Sequence, residues 1–432
     1  MSEQLDETAI IARDLIRFDT TNYGEGKSKG ETEAAEYVGA ELESLGLTPT
    51  YVDAEPGRTS VIARVPGRTG SERGALVVHG HLDVVPAVAE DWSVDPFGGE
   101  IRDGMLWGRG AVDMKNMDAM ILTALGDVLE QGGPERDLVV AFFSDEEAGG
   151  VRGSGYVVDH HPELFAGATE AISEVGGYSI TVGGERAYLL QTGEKALRWL
   201  TLTARGAAAH GSQVVRDNAV TRLAEAIVAI GREEWPVRLT GTTSALLGEI
   251  ARILGVDPER TAPDELAFAT GTANRFIAAS LRTTSNPTRL EAGYKHNVIP
   301  GAAQAFVDVR TLPGEEDLVM ERIRELAGPD IDVAVSHGDI GLEVPFEGPL
   351  VEAMIAALGA HDPGAPVLPY LLGGGTDNKA LSRLGIAGYG FAPLQLPSGF
   401  DFPSLFHGVD ERVPLDALVF GRRVLRDLLA GY

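Results

Sequence analysis

The chain has 432 residues, more than one hydrophobic core usually supports, so two domains are the default with one or three open; 44% hydrophobic and 23% charged residues describe an ordinary globular protein. Acids outnumber bases 64 to 36, and the resulting formal charge of -28 argues against nucleic acid or an anionic membrane as a partner while accommodating a bound cation. There are no cysteines, which excludes disulfides, thiolate zinc sites and a cysteine nucleophile, so any metal must use His, Asp and Glu.

The opening MSEQLDETAIIARDLIRFDTT carries Glu3, Asp6, Glu7, Arg13 and Asp14. It lacks the basic start and apolar centre of a secretory signal and reads as an amphipathic helix. No apolar run is long enough for a membrane span, and the expectation is a soluble cytoplasmic protein. Short apolar runs then alternate with helical patterns: strand-like 76–78, a helix over about 117–129, strand-like 138–143 and 171–173. This alternation predicts an α/β sheet, in which ligands gather beyond the carboxyl ends of the strands. His81 and Asp83, then Asp145, Glu146 and Glu147, then Glu174 all stand at such ends.

From about Lys195 the texture changes. ALRWLTLTARG alternates as a strand, and Val220, Leu223, Ile227 and Ile230 recur at helical spacing. AQAFVDVR and IDVAVSHG read as strands flanking a helix around 318–326, which predicts a small sheet with helices on one face. Between the halves of that block, 233–290 forms a long segment with a helix through Leu246, Leu247, Ile250 and Leu254, expected to enlarge the smaller unit.

The stretch ALVVHGHLDVVP begins as a buried strand yet carries His79, His81 and Asp83 at alternate positions, which share one side if the strand runs that far. A histidine with a carboxylate two residues on suits a metal site; a hydrogen-bonded core histidine beside a turn Asp is the alternative, and this stretch alone leaves both open. Further candidates are Asp113 in GRGAVDMK, Glu147 in SDEEAGG, Glu174 in ISEVGG and His407 in SLFHGVDERV. Taken singly, Asp113 reads as a helix N-cap, the Glu146–Glu147 pair as a solvated loop and His407 as a surface residue. Taken jointly, two His and three carboxylates among glycines suit a pair of zinc ions bridged by one carboxylate.

In order, GHLDVVP, GRGAVDMK, SDEEAGG, SEVGG, AAAHGS, HNVIPG with DVRTLPG, GGGTD and FHGVDERV resemble the aminoacylase, carboxypeptidase S and succinyl-diaminopimelate desuccinylase family of co-catalytic zinc hydrolases, over nearly the whole chain. The resemblance implies an α/β fold: a mixed-sheet, zinc-exopeptidase-like catalytic domain in two parts, 1–194 and 339–432, with an inserted α+β, ferredoxin-like lid and dimerisation domain at 195–338. It implies two Zn2+ per subunit, with Co2+ or Mn2+ as substitutes. His81 and Glu174 would hold one ion, Glu147 and His407 the other, and Asp113 would bridge, followed by a cis peptide bond to Met114. Asp83 would orient His81, His79 would be a neighbour rather than a ligand, and Glu146 would be the general base. His210 would reach the partner subunit's site of a homodimer and stabilise an oxyanion. Asn297 and Arg310, with Gly374, Gly375 and Thr376, would hold a substrate carboxylate.

The expected function is hydrolysis of an N-acyl amino acid or dipeptide with a free C-terminal carboxylate. A succinyl-diaminopimelate desuccinylase-like deacylase is the alternative, although EWPVRLTGTTSALLGEIARILG and AGYKHNVIPG look more like the carboxypeptidase S and N-acyl amino acid hydrolase branch. An aminopeptidase would need a site for a free amine, and a non-catalytic binding protein of the same fold should have lost a ligand or the base.

Overall fold

In the computed structural model, residues 5–24, 26–68 and 73–432 are described; Glu3, assigned to the N-terminal helix, lies outside them. That helix spans Glu7–Ile16, capped by Asp6, whose carboxylate accepts the Thr8 N–H, and it buries Ala9, Ile11, Ala12, Leu15 and Ile16. The apolar spacing that marked it is therefore the face it packs inward.

The larger sheet is mixed. Its path runs Ser179–Val182, Glu185–Glu194, Ala387–Gly390, Ala168–Ser173, Ala75–His81, Leu138–Phe143, Arg58–Val65, Thr50–Glu55, with Val367–Leu372 and Leu342–Glu343 also paired to Glu185–Glu194. Ala168–Ser173, Ala75–His81 and Leu138–Phe143 are mutually parallel, so their carboxyl ends open on the same side. Parallel neighbours need crossovers and are covered on both faces. One face packs Leu76, Val78 and Val140 into the main core with the helix Lys115–Glu130, and the other packs Val77, Val139 and Phe143 with Val157 and Phe165.

A second sheet orders Thr284–Ala292, Ala302–Thr311, Ala196–Arg205 and Ile331–Gly338, all antiparallel. Numbered along the chain this is 2-3-1-4, with the helix Ala219–Gly231 after the first strand and Glu316–Ala327 after the third, the ferredoxin-like arrangement. Leu200, Leu202, Ala305, Val307 and Val309 pack against Leu223, Ala226, Ile230, Val319 and Ile323 in a core separate from that of the larger sheet.

The segment expected to enlarge this smaller unit does otherwise. Its helices Gly241–Leu254, Pro263–Phe268 and Asn274–Ser280 place Leu246, Leu247, Ile250, Leu266 and Ile277 in the main core, where the first packs on Val367–Leu372. Helical spacing identifies an apolar face but carries no information about which sheet covers it. No helix among the described residues is long and apolar enough to cross a membrane.

Candidate active site

The three parallel strands end in loops that bring the candidates together. His81 closes its strand and is buried, and Asp83 already lies beyond the strand end, so the alternation stops between them. The His81 Nδ1 is 3.0 Å from the main-chain oxygen of Asp83 but 3.7 Å from its Oδ1. A carbonyl only accepts, so Nδ1 carries the proton and Nε2 is left as the donor atom for a metal. The contact Asp83 makes with this ring is through its backbone, not its carboxylate.

The Asp83 carboxylate has another use. Its Oδ1 accepts the Glu146 N–H at 3.0 Å and its Oδ2 accepts the Glu147 N–H at 3.1 Å and the Asn22 Nδ2 at 2.8 Å. It fixes the loop that carries both glutamates. Asn22 also donates to Asp145 Oδ1, which pairs with Arg58, itself bonded to Glu31. This buried network sits under the loop, and burial, with repulsion from Asp83, lifts Glu31 to about 8 despite Arg58.

His81 Nε2 lies 3.1 Å from Asp113 Oδ1, 3.6 Å from Glu174 Oε2 and 4.0 Å from Glu146 Oε2. Across the same carboxylate, His407 Nε2 lies 3.3 Å from Asp113 Oδ2 and 3.1 Å from Glu147 Oε2. Asp113 is not a helix cap: the cap position of Lys115–Glu130 is Met114, and the Asp113–Met114 bond is cis. His407 is exposed as the surface reading held, yet points inward to two carboxylates. The backbone is unusual beside these residues, with positive φ at Asp145, at Val175 directly after Glu174, and at His407 itself. A β-branched residue rarely adopts that region, and such outliers cluster at functional sites.

Donor atoms of His81, Asp113 and Glu174 lie within 4.8 Å of one another, as do those of Asp113, Glu147 and His407. Asp113 belongs to both groups. Burial and Asp113 raise Glu174 to about 8, and burial raises Glu147 as well. Partial desolvation lowers the pKa of His407, but its bonds to Asp113 and Glu147 outweigh this and carry it to about 11. Glu147 Oε1 is buried without a protein partner. Crowded carboxylates, two imidazoles and an orphaned oxygen fit a pair of divalent cations.

His79, as expected of a neighbour, turns away: its Nε2 meets Asn378 Oδ1 at 2.9 Å, and burial lowers its pKa to about 4. The substrate-side candidates form separate groups. His210 is exposed, bonds Ser212 through Nδ1 at 2.8 Å, and makes no hydrogen bond with the cluster. Its strand Ala209–His210 pairs with Val298–Ile299, and the Gly211 N–H donates to the carbonyl of Asn297, so His210 and Asn297 are neighbours. Arg310 pairs with Asp308. Thr376 gives both its N–H and its hydroxyl to the buried carboxylate of Glu194, at 2.9 and 2.7 Å, so those donors hold the loop containing Gly374 and Gly375 onto the large sheet.

A model of Peptidase family M20/M25/M40 matches residues 77–431. The chain belongs to that family. It is a metallo-hydrolase of C–N amide or peptide bonds. Among M20 relatives, pig aminoacylase-1 (Sus scrofa) is 25% identical over 92% of this chain and 89% of its own. The N-fatty-acyl-amino acid synthase/hydrolase PM20D1 of Xenopus tropicalis is 27% identical over 81% and 71%, and the succinyl-diaminopimelate desuccinylase of Rhodospirillum centenum is 35% identical over 50% and 54%. In fold, the chain is similar to an M20 family metallo-carboxypeptidase from Sulfolobus solfataricus (TM-score 0.76, 19% identity, 99% of both chains) and to human carnosine dipeptidase 1 (0.72, 16%, 98% and 95%).

Sequence reasoning missed the residue that shapes the M20 loop around Asp113. Glu411 is fully buried; its Oε1 accepts the N–H groups of Val112 and Asp113 at 2.6 and 3.0 Å, and its Oε2 meets Arg109 Nη1 at 2.6 Å. Both stand inside quoted motifs, Arg109 in GRGAVDMK and Glu411 in FHGVDERV. For Arg109 the available signal was a charged residue between two glycines; Glu411, between Asp410 and Arg412, carried none. Asn22, Arg58 and Glu31 offered none.

Proposed function

We propose that this protein is a dinuclear zinc amidohydrolase that cleaves an N-acyl amino acid or dipeptide and releases an amino acid with a free carboxylate. The observation that carries the reading is Asp113: its two oxygens face two different histidines, each with its own glutamate. His81 and Glu174 would hold one ion, Glu147 and His407 the other, and Asp113 both. Two bound Zn2+ ions, or Co2+ or Mn2+ in their place, supply a water of lowered pKa and polarise the scissile carbonyl.

Glu146 is the group placed to move the proton. It is adjacent to Glu147, and its Oε2 is 4.0 Å from His81 Nε2, on the edge of the donor cluster. Burial raises its pKa well above that of a free carboxyl, which suits a base that accepts a proton from water and returns it to the leaving nitrogen. Arg310 would read the substrate carboxylate, with Asn297 and the backbone at Gly374 and Gly375. His210 would act on the oxyanion in the site of a second copy, which agrees with its exposure on a unit with its own core. The smaller sheet with its helices Ala219–Gly231 and Glu316–Ala327 would be the lid and dimerisation domain, without the helices between 241 and 280 that pack in the main core, and the protein would be cytoplasmic.

The similarity to aminoacylase-1 and to an N-fatty-acyl-amino acid synthase/hydrolase supports a substrate with a free carboxylate. The test is a screen of purified, zinc-loaded protein against N-acetyl, long-chain N-acyl and N-succinyl amino acids, a dipeptide panel and the C-terminal amides of the same dipeptides. Turnover confined to substrates with a free amine and blocked carboxylate would overturn the reading in favour of an aminopeptidase.

A further inference from the structure

On the face of the smaller sheet opposite its helices, three strands align a row of side chains. His337 is in register with Trp199, and Trp199 with Asp308. The rings of His337 and Trp199 are 5.1 Å apart, and Trp199 Nε1 donates to Asp308 Oδ2 at 3.0 Å. Two residues along the same strand, and therefore on the same face, Arg310 gives Nε to Asp308 Oδ1 at 2.8 Å and Nη2 to Oδ2 at 3.0 Å. At the other end of the row, the His337 ring rests on Gly149, where an added Cβ would come within 2.9 Å of it. Gly149 belongs to the loop of Glu146 and Glu147.

A guanidinium has two edges that can grip a carboxylate, Nε with Nη2 and Nη1 with Nη2. Asp308 occupies the first, so the plane is fixed and the second edge points away from it. Both partners are about a quarter exposed, and such pairs add little to stability. Their value is orientation. We propose that Asp308, braced by Trp199, is a positioning residue that presents the Nη1–Nη2 edge of Arg310 to the substrate carboxylate. His337 seats the same row on the loop of Glu146, so the carboxylate reader is held in register with the catalytic loop. This rests on the reading of Arg310 given above.

The test compares the fastest-cleaved member of the substrate panel with its C-terminal carboxamide, in wild type, Arg310→Ala, Asp308→Ala and Trp199→Phe, with zinc content measured throughout. Asp308→Ala should raise KM for the carboxylate substrate about tenfold, hold kcat within a few-fold and shrink carboxylate-over-amide discrimination, as expected when a ground-state contact is lost. Trp199→Phe, which keeps a ring against His337 and removes only the indole donor, should move KM and discrimination in the same direction by less, and Asp308→Glu should restore part of both. If Arg310→Ala abolishes discrimination while Asp308→Ala and Trp199→Phe leave it intact, the positioning role is overturned and the reading of Arg310 stands. A lower KM in Asp308→Ala would overturn it too, making Asp308 a competitor for the fork. If Arg310→Ala itself leaves discrimination unchanged, the reading beneath fails and this inference with it.

Discussion

The carboxylate of Asp83 accepts the amide of Glu146 at 3.0 Å, so the residue two positions after the first site histidine holds the loop that bears the proposed base. Asp83→Ala should therefore disturb the glutamate loop more than the His81 ring, whose Nδ1 is bonded to the main chain. Losses of about 10- to 100-fold in metal affinity or turnover are typical of such supporting groups. Zinc titration and kcat measured together check this; a variant with both at wild-type values would show that the two amide bonds are dispensable.

Glu146 and Glu147 are adjacent but should separate cleanly on substitution. Glu146→Gln is expected to retain two metal ions while turnover falls on the order of 10²–10⁴-fold, the range for general-base removal. Glu147→Gln, which alters a group 3.1 Å from His407, should lose metal. Equal depletion of metal in both variants would refute the division of roles.

Among the described residues the His210 ring bonds Ser212 of its own loop, and it is open to solvent. If it completes the site of a second copy, His210→Ala should retain zinc and lose about 10²–10³ in turnover, as when one preorganised oxyanion donor is removed. Mixing His210→Ala with Glu146→Gln should then restore part of the activity, because one site of the heterodimer receives both intact groups. No recovery despite proven subunit exchange, or a fully active monomer, would rule out action between subunits.

Arg109 and Glu411 are 3% and 0% exposed and 2.6 Å apart. Arg109→Met strands a buried carboxylate that still has backbone donors, and breaking such a pair costs about 3–5 kcal/mol. The loop presenting Asp113 should loosen with it. Chemical denaturation of the metal-free protein and zinc affinity of the refolded variant report the two effects; a stability loss below about 1 kcal/mol, the range of an exposed pair, would contradict the assignment.

Lys195 is fully buried at the passage between the two sheets, its Nζ bonded to the carbonyl of Arg282. Burial, with Arg310 and Arg282 nearby, lowers its pKa from 10.5 to about 7. Between those values the unfolded chain holds the extra proton, so this group's contribution to stability rises with pH through the window. The unfolding free energy of wild type relative to Lys195→Met should accordingly grow from pH 7 to pH 10, by on the order of a few kcal/mol. A constant difference over that range would count against a depressed pKa.

Local pattern in the amino-acid sequence determined a great deal. The runs ending at His81, Phe143 and Ser173 are strands because they are short, apolar and bounded by turn residues, and the glycine-flanked motifs after them mark loops where His81, Glu147 and Glu174 can converge. Alternation from Ala196 and helical spacing from Ala219 likewise announced the smaller sheet and its first helix. What only the tertiary structure decided were partners. The helix through Leu246 and Ile250 lies on the larger sheet, Thr376 is bonded to Glu194, and Arg109 meets Glu411 from 302 residues away. Periodicity reports that a face is apolar and a motif reports that a group is polar, because both are properties of neighbouring residues. Which surface covers that face, and which buried group answers that charge, depends on chain topology that brings distant segments together, and on the cost of leaving a buried polar group unpaired.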